Sequence, residues 1–378
     1  MEQKKKLIRV TTADISLDKL IPGQLKYLNQ YYDVIGVSAD TGVLNPVAAR
    51  EGIRTIAVPM HREISLKSDI KCLFLLRKIF KQEKPFIVHA NTPKGSLLSM
   101  MASRMAGVPH RIYMVTGLRY QGATGIMRFI LKTMERISCL CATKVIPEGN
   151  GVLHCLKDDH ITKKSLQVVH NGNINGIDTD YFSRSNPDLA HHRNLREELG
   201  FTADDFVFVF VGRIVRDKGM HELAYSMRRL PKAKLLLVGS FEDGDPVEAA
   251  DVEFFKTSPN VKCVGWQDDV RPYLLISNAL VFPSYREGFP NAPMQAGSMN
   301  LPSIVTNING CNEIIKDGLN GKIIQPYSEQ ALKEAMRWFM EHTADVKRMA
   351  ENARVMIQER YEQSDVWKAL LSVYQNLN

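Results

Sequence analysis

Short apolar runs alternate with longer amphipathic segments along the whole chain. Six runs predict β-strands in the first half, at 7–10, 33–37, 55–58, 86–90, 111–115 and 144–146. Six more predict strands in the second half, at 206–211, 234–238, 261–264, 279–282, 303–306 and 321–324. The segments between them, such as 68–80 and 95–106, have the length and apolar spacing of helices. This regular alternation indicates an α/β fold with parallel sheets and helices on both faces.

The chain of 378 residues is long enough for two domains of ordinary size. A polar segment, SRSNPDLAHHRNLREELG at 183–200, separates the two sets of strands. We therefore predict two doubly wound domains, the first over 1–182 and the second over 183–363. A final helix at 364–378 is expected to cross back to the first domain.

Lysine and arginine exceed aspartate and glutamate by 49 to 41, which gives a net charge of +8. This mild excess fits anionic ligands such as phosphates. The sequence contains no nucleic-acid-binding motif and no GxGxxG segment, so we expect neither a nucleic-acid partner nor a nicotinamide or flavin dehydrogenase. The six cysteines form no CxxC pair, which disfavours a zinc site or a disulfide framework and favours a reducing compartment.

The sequence also indicates where in the cell the protein works. The apolar run at 7–10 is too short for the core of a signal peptide. No stretch approaches the ~18 consecutive apolar residues of a membrane span. We expect a cytoplasmic protein that works at the cytoplasmic face of a membrane.

The second half opens with a strand followed by two cations, in the segment FVFVFVGRIVRDKG at 206–219. Gly212 permits a tight turn, and Arg213 and Lys218 then lie on the loop at the carboxyl end of the strand. Open α/β sheets bind ligands at this edge. An arginine offers a planar pair of donors and a lysine a mobile point charge, so the two together suit a diphosphate.

A second strand-to-helix loop, VFPSYREGFPN at 281–291, carries candidate sugar-binding groups. Glu287 could accept hydrogen bonds from sugar hydroxyls, and Gly288 allows close approach of the backbone. The following helix is predicted to begin near 292, and its free N–H groups favour an anion. Gln295 lies in the first turns of this helix, where its amide could bond a ribose hydroxyl.

Four segments together resemble the nucleotide-sugar-binding half of glycosyltransferase family 4. They are VGRIVRDKG at 211–219, GWQDDVRPYL at 265–274, VFPSYREGFPNAPMQAGSMNLPSIVTN at 281–307 and CNEIIKDGLNG at 311–321. In the first half, 84–120 resembles the acceptor domain, and 168–182 resembles the interdomain segment of members that build bacterial capsule, O-antigen and exopolysaccharide. The resemblance implies the GT-B fold, in which two Rossmann-like domains face each other across a cleft, and sugar transfer with retention of anomeric configuration.

The resemblance also implies roles for residues of the second half. Arg213 and Lys218 match the pair that binds the donor diphosphate. Glu287 matches the first glutamate of the family's E-x7-E pattern, which holds the hydroxyls of the donor sugar, and the second glutamate is here Gln295. We expect this departure to weaken ribose binding without abolishing it. The other donor-binding residues implied are Gly212, Gly288, Phe289, Pro290 and Asn291.

Acceptor-side residues are implied in the first half. Thr116 stands where many relatives have a histidine, so no general base is assigned there. The other residues expected to face the cleft are Gly117, Arg119, His89 and Gly23. We expect 16–23 to form an acceptor-side loop. The apolar residues of this region either contact a lipid chain or belong to ordinary helix packing: Ile15, Leu17, Leu20 and Ile21.

Two further features leave alternatives open. The basic amphipathic segment 125–144 is either a crossover helix or a helix that lies on an anionic membrane. The crossover helix would bury Ile126, Phe129, Ile130, Met134 and Ile137. Asp243 and Asp245 resemble the metal-binding DxD of the other large glycosyltransferase fold, although a solvated turn is expected at this place. We expect no metal ion and no cofactor, because the two cations of the donor loop would stabilise the same negative charge.

The sequence therefore favours a retaining hexosyltransferase of surface polysaccharide biosynthesis, such as that of capsule or lipopolysaccharide. It would move a sugar from a nucleotide-sugar donor, expected to be a UDP-sugar, to a saccharide acceptor linked to a polyprenyl diphosphate. Peripheral contact with an anionic membrane would follow from such an acceptor. A nucleotide-sugar epimerase of the same fold and a non-catalytic nucleotide-sugar-binding subunit are the alternatives.

Overall fold

A computed structural model describes residues 4–61, 65–192 and 194–377 of the chain. The chain forms two compact units, one of 1–176 together with 364–378 and one of 177–363. The predicted boundary at 182/183 lies a few residues after the one found at 176/177. Residues 1–3 and 378, which the predicted domain limits include, lie outside the described residues.

The first unit is built on a six-stranded parallel sheet. Its strands are β1 (Lys6–Ala13), β2 (Asp33–Ala39), β3 (Arg54–Ala57), β4 (Ile87–Ala90), β5 (His110–Val115) and β6 (Lys144–Pro147). They lie in the order β3-β2-β1-β4-β5-β6, which is the order of a doubly wound Rossmann sheet. The order reverses between β1 and β4, where Arg9 pairs with His89 in register.

Helices cover both faces of this sheet. They are α1 (Asp14–Leu20), α2 (Gln24–Leu28), α3 (Leu44–Glu51), α4 (Leu66–Glu83), α5 (Pro93–Ala106), α6 (Gly125–Cys141) and α7 (Asn150–Asp158). Helices α4 to α7 share one apolar core with the sheet. Helices α1 to α3 share a second core on the opposite face. Two separate cores are what helices on both faces of a parallel sheet require.

The second unit repeats the same design. Its strands are β7 (Phe206–Val211), β8 (Ala233–Val238), β9 (Val261–Gly265), β10 (Ala279–Phe282), β11 (Ser303–Thr306) and β12 (Gly321–Ile324). They lie in the order β12-β11-β10-β7-β8-β9, so the order reverses between β7 and β10. Strand β7 is almost entirely buried, as its unbroken apolar sequence predicts for the centre of a parallel sheet.

Eight helices are described between and after these strands. They are α8 (Leu195–Glu198), α9 (Met220–Arg229), α10 (Ala249–Thr257), α11 (Arg271–Leu275), α12 (Asn291–Ser298), α13 (Cys311–Ile314), α14 (Glu329–Glu341) and α15 (Thr343–Tyr361). A final helix, α16 (Gln363–Gln375), belongs almost wholly to the first unit. There Leu370, Leu371 and Tyr374 join the core shared by α1 to α3.

All twelve predicted strands are confirmed, with differences of a few residues at their ends. Two expectations about the first unit are wrong. Most of 16–23 belongs to helix α1 and not to a loop, and Leu17 and Ile21 are fully buried in the core. Segment 125–141 is the crossover helix α6, in which Met134 and Ile137 are partly buried, but Ile126, Phe129 and Ile130 are exposed instead of buried. In the part of the chain described, no helix is long and apolar enough to cross a bilayer.

Candidate functional site

Two strand-to-helix loops of the second unit meet where its strand order reverses. The first loop follows β7 and leads through the 3₁₀ turn Arg216–Lys218 into α9. The second follows β10 and leads through 283–290 into α12. Because β7 and β10 are parallel neighbours, both loops leave the same edge of the sheet. This is the position at which doubly wound sheets bind ligands.

The backbones of the two loops are in direct contact. Gly219 has φ +70°, and a Cβ atom there would lie 2.2 Å from the carbonyl oxygen of Pro283. The Tyr285 N–H donates to the carbonyl oxygen of Asp217 at 2.8 Å. Arg286 Nη2 donates to Asp217 Oδ2 at 2.7 Å. Only glycine fits at 219, since both the conformation and the space exclude a side chain.

Lys218 and Glu287 face each other across this junction. Lys218 Nζ donates to Glu287 Oε1, and Ser284 Oγ donates to the same oxygen at 2.7 Å. The carbonyl oxygen of Ser284 in turn accepts from the hydroxyl of Thr306 at the end of β11. Residues from three neighbouring strand ends therefore hold the Glu287 carboxylate beside the Lys218 ammonium.

This ion pair is largely shielded from water. The side chains of Lys218 and Glu287 are 13% and 15% exposed, and the ring centroid of Phe282 lies 5.1 Å from Lys218 Nζ. Cys311 is buried nearby, where burial and the Glu287 carboxylate raise the pKa of its thiol well above the usual range. Low local polarity strengthens the interaction of the lysine with any negative charge brought to it.

Arg213, the other predicted cation, lies in a different environment. Its side chain is 56% exposed and its Nη1 donates to Glu242 Oε2 at 3.1 Å. An ion pair this exposed contributes little to stability, so the guanidinium is free to change partners. The structure thus places one shielded cation and one exposed cation on the loop after β7.

The other predicted donor-site residues lie around the start of α12. Gly288 is half-buried, and a Cβ atom at Gly310 would lie 2.5 Å from its carbonyl oxygen. Phe289 and Pro290 are buried, and the Phe289 ring packs against Tyr361, so these two residues offer only backbone atoms to a ligand. The partly exposed residues of this group are Gly212, Asn291 and Gln295.

In the first unit, three predicted acceptor-side residues follow β5. Thr116 and Gly117 are half-buried, and the Thr116 hydroxyl donates to the carbonyl oxygen of Asn91 at 2.6 Å. Gly117 has φ +126°, and Arg119 is exposed on the short 3₁₀ turn that follows. These residues lie at the carboxyl edge of the first sheet.

His89 and Gly23 both contact residues of helix α16. His89 is fully buried, and its Nδ1 lies 2.5 Å from the Tyr374 hydroxyl of α16. Burial, together with the neighbouring Arg9 cation, lowers the pKa of His89 well below its usual value, which keeps the ring neutral. A Cβ atom at Gly23 would lie 2.7 Å from the Trp367 ring. The full burial of His89 disfavours its expected contact with the acceptor, whereas Gly23 is partly exposed and its contact stays a prediction.

Of the two aspartates of the predicted DxD segment, one is engaged by protein groups and the other is exposed. Asp245 accepts hydrogen bonds from the Asp217 N–H and pairs with Arg216, and Asp243 is exposed. Within the described ranges, one group has the spacing of metal ligands, namely His221, Glu248 and Asp251. In that group His221 Nδ1 bonds Asp251 Oδ2 at 2.8 Å and Arg228 bonds Asp251 Oδ1 at 2.8 Å. The absence of a metal requirement stays a prediction.

Several residues of the site were not predicted from the sequence. The Lys218–Glu287 pair is positioned by Ser284, Asp217 and Arg286. These three residues lie inside the motifs at 211–219 and 281–307, which were the sequence signal that could have identified them. Tyr285 and Tyr327 stack with ring centroids 3.9 Å apart, and Tyr285 donates to Glu222. No sequence signal connected these two tyrosines, since four elements lie between them in the chain, α12, β11, α13 and β12.

Comparison with known proteins identifies the family. The model "Glycosyl transferases group 1" matches residues 192–356, and the model "Glycosyl transferase 4-like" matches residues 21–147. The chain is 31% identical to the capsular polysaccharide biosynthesis glycosyltransferase CapM of Staphylococcus aureus, over 98% of this chain and 97% of that protein. It is 30% identical to an Escherichia coli UDP-Gal:alpha-D-GlcNAc-diphosphoundecaprenol alpha-1,3-galactosyltransferase, over 79% of this chain and 77% of that protein.

Solved structures agree with the fold. A crystal structure of Anabaena Alr3699/HepE in complex with UDP has a TM-score of 0.81 and 18% sequence identity, and the match covers 99% of this chain and all of that one. The predicted arrangement of two Rossmann-like sheets is confirmed. On these grounds the chain belongs to glycosyltransferase family 4, has the GT-B fold and is a glycosyltransferase.

Proposed function

We propose that this glycosyltransferase transfers a sugar, with retention, from a UDP-sugar to a saccharide carried on a polyprenyl diphosphate. The observation that carries the proposal is the shielded pair of Lys218 and Glu287 at the point where strand order reverses. A lysine there suits the donor diphosphate, and a carboxylate beside it suits sugar hydroxyls. Sugar and diphosphate are neighbouring parts of one nucleotide-sugar molecule.

The pair would work as follows during transfer. The bond between the anomeric carbon and the diphosphate oxygen breaks, and the acceptor hydroxyl oxygen bonds that carbon on the same face. The departing diphosphate gains negative charge and takes the proton of the acceptor hydroxyl. Lys218 has three N–H donors, so it can bond a phosphate oxygen while it still bonds Glu287. Arg213 would leave Glu242 and add a second cation, which stabilises the same charge.

The comparisons support the choice of substrates. The name of the E. coli relative gives a UDP-galactose donor and an acceptor on diphosphoundecaprenol, and the S. aureus relative is named for capsular polysaccharide biosynthesis. The Anabaena structure was determined with UDP. We propose that this chain likewise takes part in the assembly of a surface polysaccharide. An acceptor carried on a lipid also implies peripheral contact with a membrane.

Thermal-shift measurements with UDP, GDP, ADP and their common sugars, each with and without EDTA, test the donor assignment. We expect stabilisation by the UDP series alone, unchanged by EDTA, because the cations of the site are protein groups. If EDTA abolished the increase in melting temperature, donor binding would require a metal ion, contrary to this proposal. An increase caused by another nucleotide would contradict the choice of UDP.

The stereochemistry has its own measurement. The anomeric proton of the transferred sugar, observed by NMR in the isolated product, should show the configuration of the donor. An inverted product would contradict retention. An epimerised nucleotide-sugar formed without acceptor would favour the epimerase, and donor binding without turnover on any lipid-linked saccharide would favour the non-catalytic subunit.

A further inference from the structure

Three helices of the second unit bring four polar side chains together near the donor loops. His221 lies in the first turn of α9, which begins just after Lys218. Asp251 lies in the first turn of α10, and Glu248 directly precedes that helix. Glu329 is the first residue of α14. Helix α9 packs against both α10 and α14, and the side chains of these helices meet at His221. We call His221, Glu248, Asp251 and Glu329 the His221 cluster.

The imidazole of His221 is held between two carboxylates. Its Nδ1 lies 2.8 Å from Asp251 Oδ2, and its Nε2 lies 2.9 Å from Glu329 Oε1. A neutral imidazole has only one N–H, so it can donate to only one of these oxygens. The other nitrogen then presents a lone pair to a carboxylate oxygen, which also has only lone pairs. A proton or a metal ion between these two atoms is needed to make that contact favourable.

Asp251 offers a buried and oriented oxygen. Its side chain is 3% exposed, and its Oδ1 accepts from Arg228 Nη1 at 2.8 Å. Arg228 Nη2 donates to the carbonyl oxygen of Ala250 at 3.0 Å, which fixes the guanidinium. The other oxygen, Oδ2, is thereby turned toward His221. Hydrogen bonds from outer groups that orient the ligands in this way are characteristic of protein metal sites.

Glu248 supplies a third oxygen donor. One ligand atom from each of His221, Glu248 and Asp251 lies within 4.8 Å of the other two. Ligands of a tetrahedral zinc ion, at about 2.1 Å from the metal, are roughly 3.4 Å apart. Because Glu248 is exposed, rotation of its side chain can close this difference. Among the residues that the structure describes, no group forms an ion pair or hydrogen bond with the Glu248 carboxylate.

The charges of the His221 cluster favour a divalent cation. It contains three carboxylates, and the Arg228 guanidinium is the permanent cation bonded to it. With a neutral imidazole the negative charge therefore exceeds the positive charge by two. Calcium and magnesium prefer oxygen ligands alone, whereas zinc binds imidazole nitrogen together with carboxylate oxygen. The histidine thus selects a transition metal of the zinc type.

We propose that the His221 cluster is a structural zinc site. His221 Nδ1, one Asp251 oxygen and one Glu248 oxygen would bind Zn²⁺, with a water molecule as the fourth ligand. The Nε2–H of His221 would donate to Glu329, as the second nitrogen of a metal-binding histidine usually does to a carboxylate. The ion would join α9 to α10 next to the donor loops. It binds the folded chain, so it would raise the stability of the second unit.

The proposed zinc site does not rest on the proposed reaction, and it assigns no part in sugar transfer to the metal. Its ligands are distinct from Lys218 and Glu287, which pair with each other. Removal of zinc should therefore lower the melting temperature of the free protein. The further increase in melting temperature caused by UDP should remain.

Titration of the full chain with zinc chloride tests the proposal without any substrate. The protein would first be freed of metal with EDTA and dialysed into buffer without chelator. We expect saturable binding by calorimetry and a higher melting temperature with zinc. His221→Gln should lower the zinc affinity about 100-fold, and Glu329→Gln about tenfold. His191→Gln, at an exposed histidine of the same unit, is the matched control and should bind zinc as the unchanged protein does.

Cobalt in place of zinc identifies the ligands by absorption spectroscopy. Nitrogen and oxygen ligands give visible d–d bands, whereas a cysteine thiolate adds an intense charge-transfer band in the near ultraviolet. We expect the d–d bands without the thiolate band, and their loss in His221→Gln. Glu248→Gln, which replaces an exposed side chain, should also weaken binding and keeps the test valid if His221→Gln does not fold.

Three results would overturn the proposed zinc site. They are absence of zinc binding by the unchanged protein, equal zinc affinity of the unchanged protein and both the His221→Gln and Glu248→Gln variants, and a thiolate band in the cobalt spectrum. A different result would count against the proposed function alone, namely zinc binding as expected with no increase in melting temperature caused by any nucleotide.

Discussion

Lys218 and Glu287 form an ion pair although their loops are separated by 69 positions in the sequence. The pairing of β7 with β10 brings the two loops to one sheet edge, and the contact of Gly219 with Pro283 holds them together. Strand order therefore brings the two charged groups together, and the protein holds them in position without a bound ligand. Such preorganisation is the main means by which enzymes stabilise developing charge.

Replacement of Lys218 tests the role of the shielded cation. Lys218→Ala should lower turnover by about 10²–10³-fold, because one fixed donor to the leaving diphosphate is removed. Steady-state kinetics and a melting curve measure the effect. Lys232→Ala, at an exposed lysine of the same unit, is the control. Near-normal turnover of Lys218→Ala would contradict the diphosphate role.

Gln295 is the position at which this chain departs from the family pattern. Gln295→Glu should keep donor affinity or raise it by up to about tenfold, since a carboxylate makes stronger hydrogen bonds to ribose hydroxyls. Gln295→Leu removes both polar atoms and should lower affinity. Titration calorimetry with UDP gives both values. A large loss of affinity in Gln295→Glu would show that the ribose role is wrong.

Gly219 is expected to be essential for the fold of the donor loops. Gly219→Ala places a Cβ atom against the Pro283 carbonyl at a φ of +70°, so the free energy of unfolding should fall by more than ~2 kcal/mol. Gly244→Ala is the control, because a Cβ atom there meets no atom within 4 Å. Denaturant unfolding compares the two variants. Equal free energies of unfolding for the two variants would mean that the contact between the Gly219 and Pro283 loops contributes little to stability.

Glu135 gives the protein a pH-dependent stability. Burial raises its pKa from 4.5 to about 7, and the hydrogen bond from Tyr113 only partly opposes this. The folded protein therefore binds this proton more tightly than the unfolded chain, so the carboxyl lowers stability as pH rises from about 4.5 to about 7.

Glu135→Gln should consequently be more stable than the unchanged protein at pH 8, by up to ~3 kcal/mol, and nearly equal to it below pH 4.5. Unfolding by denaturant at several pH values measures the difference. Glu341→Gln, at an exposed glutamate, should show no such trend. If the stability difference between Glu135→Gln and the unchanged protein did not change with pH, Glu135 would have the same charge in the folded and the unfolded protein at each pH.

The sequence was most informative where burial determines the pattern. The six apolar residues of β7 could only be a buried strand. The predicted helix at 95–106 ends with α5 at Ala106, and Gly107 follows it with φ +76°. The candidate donor residues were predicted because two motifs each follow a strand. The two motifs are in direct contact because their strands are neighbours in the sheet, and local sequence patterns do not reveal strand order.

Other features depended on tertiary contacts that no local pattern records. A loop was predicted at 16–23 because helix α1 is short and begins without a side-chain cap at Ala13, while Asp14 accepts bonds from Thr41 and Val43. His89 was expected near the acceptor, but α16 covers it with Tyr374. In α6 the apolar spacing predicted burial, although no element covers Ile126 or Phe129 in the structure described.

Transfer of labelled sugar tests the central claim most directly. The protein would be incubated with radiolabelled UDP-sugars, in EDTA, together with bacterial membranes that contain lipid-linked saccharides, and label would be counted in the solvent-extracted lipid. The account predicts label from a UDP-sugar with the unchanged protein and almost none with Lys218→Ala. Absence of lipid-linked label from every UDP-sugar, or equal label with Lys218→Ala, would contradict it.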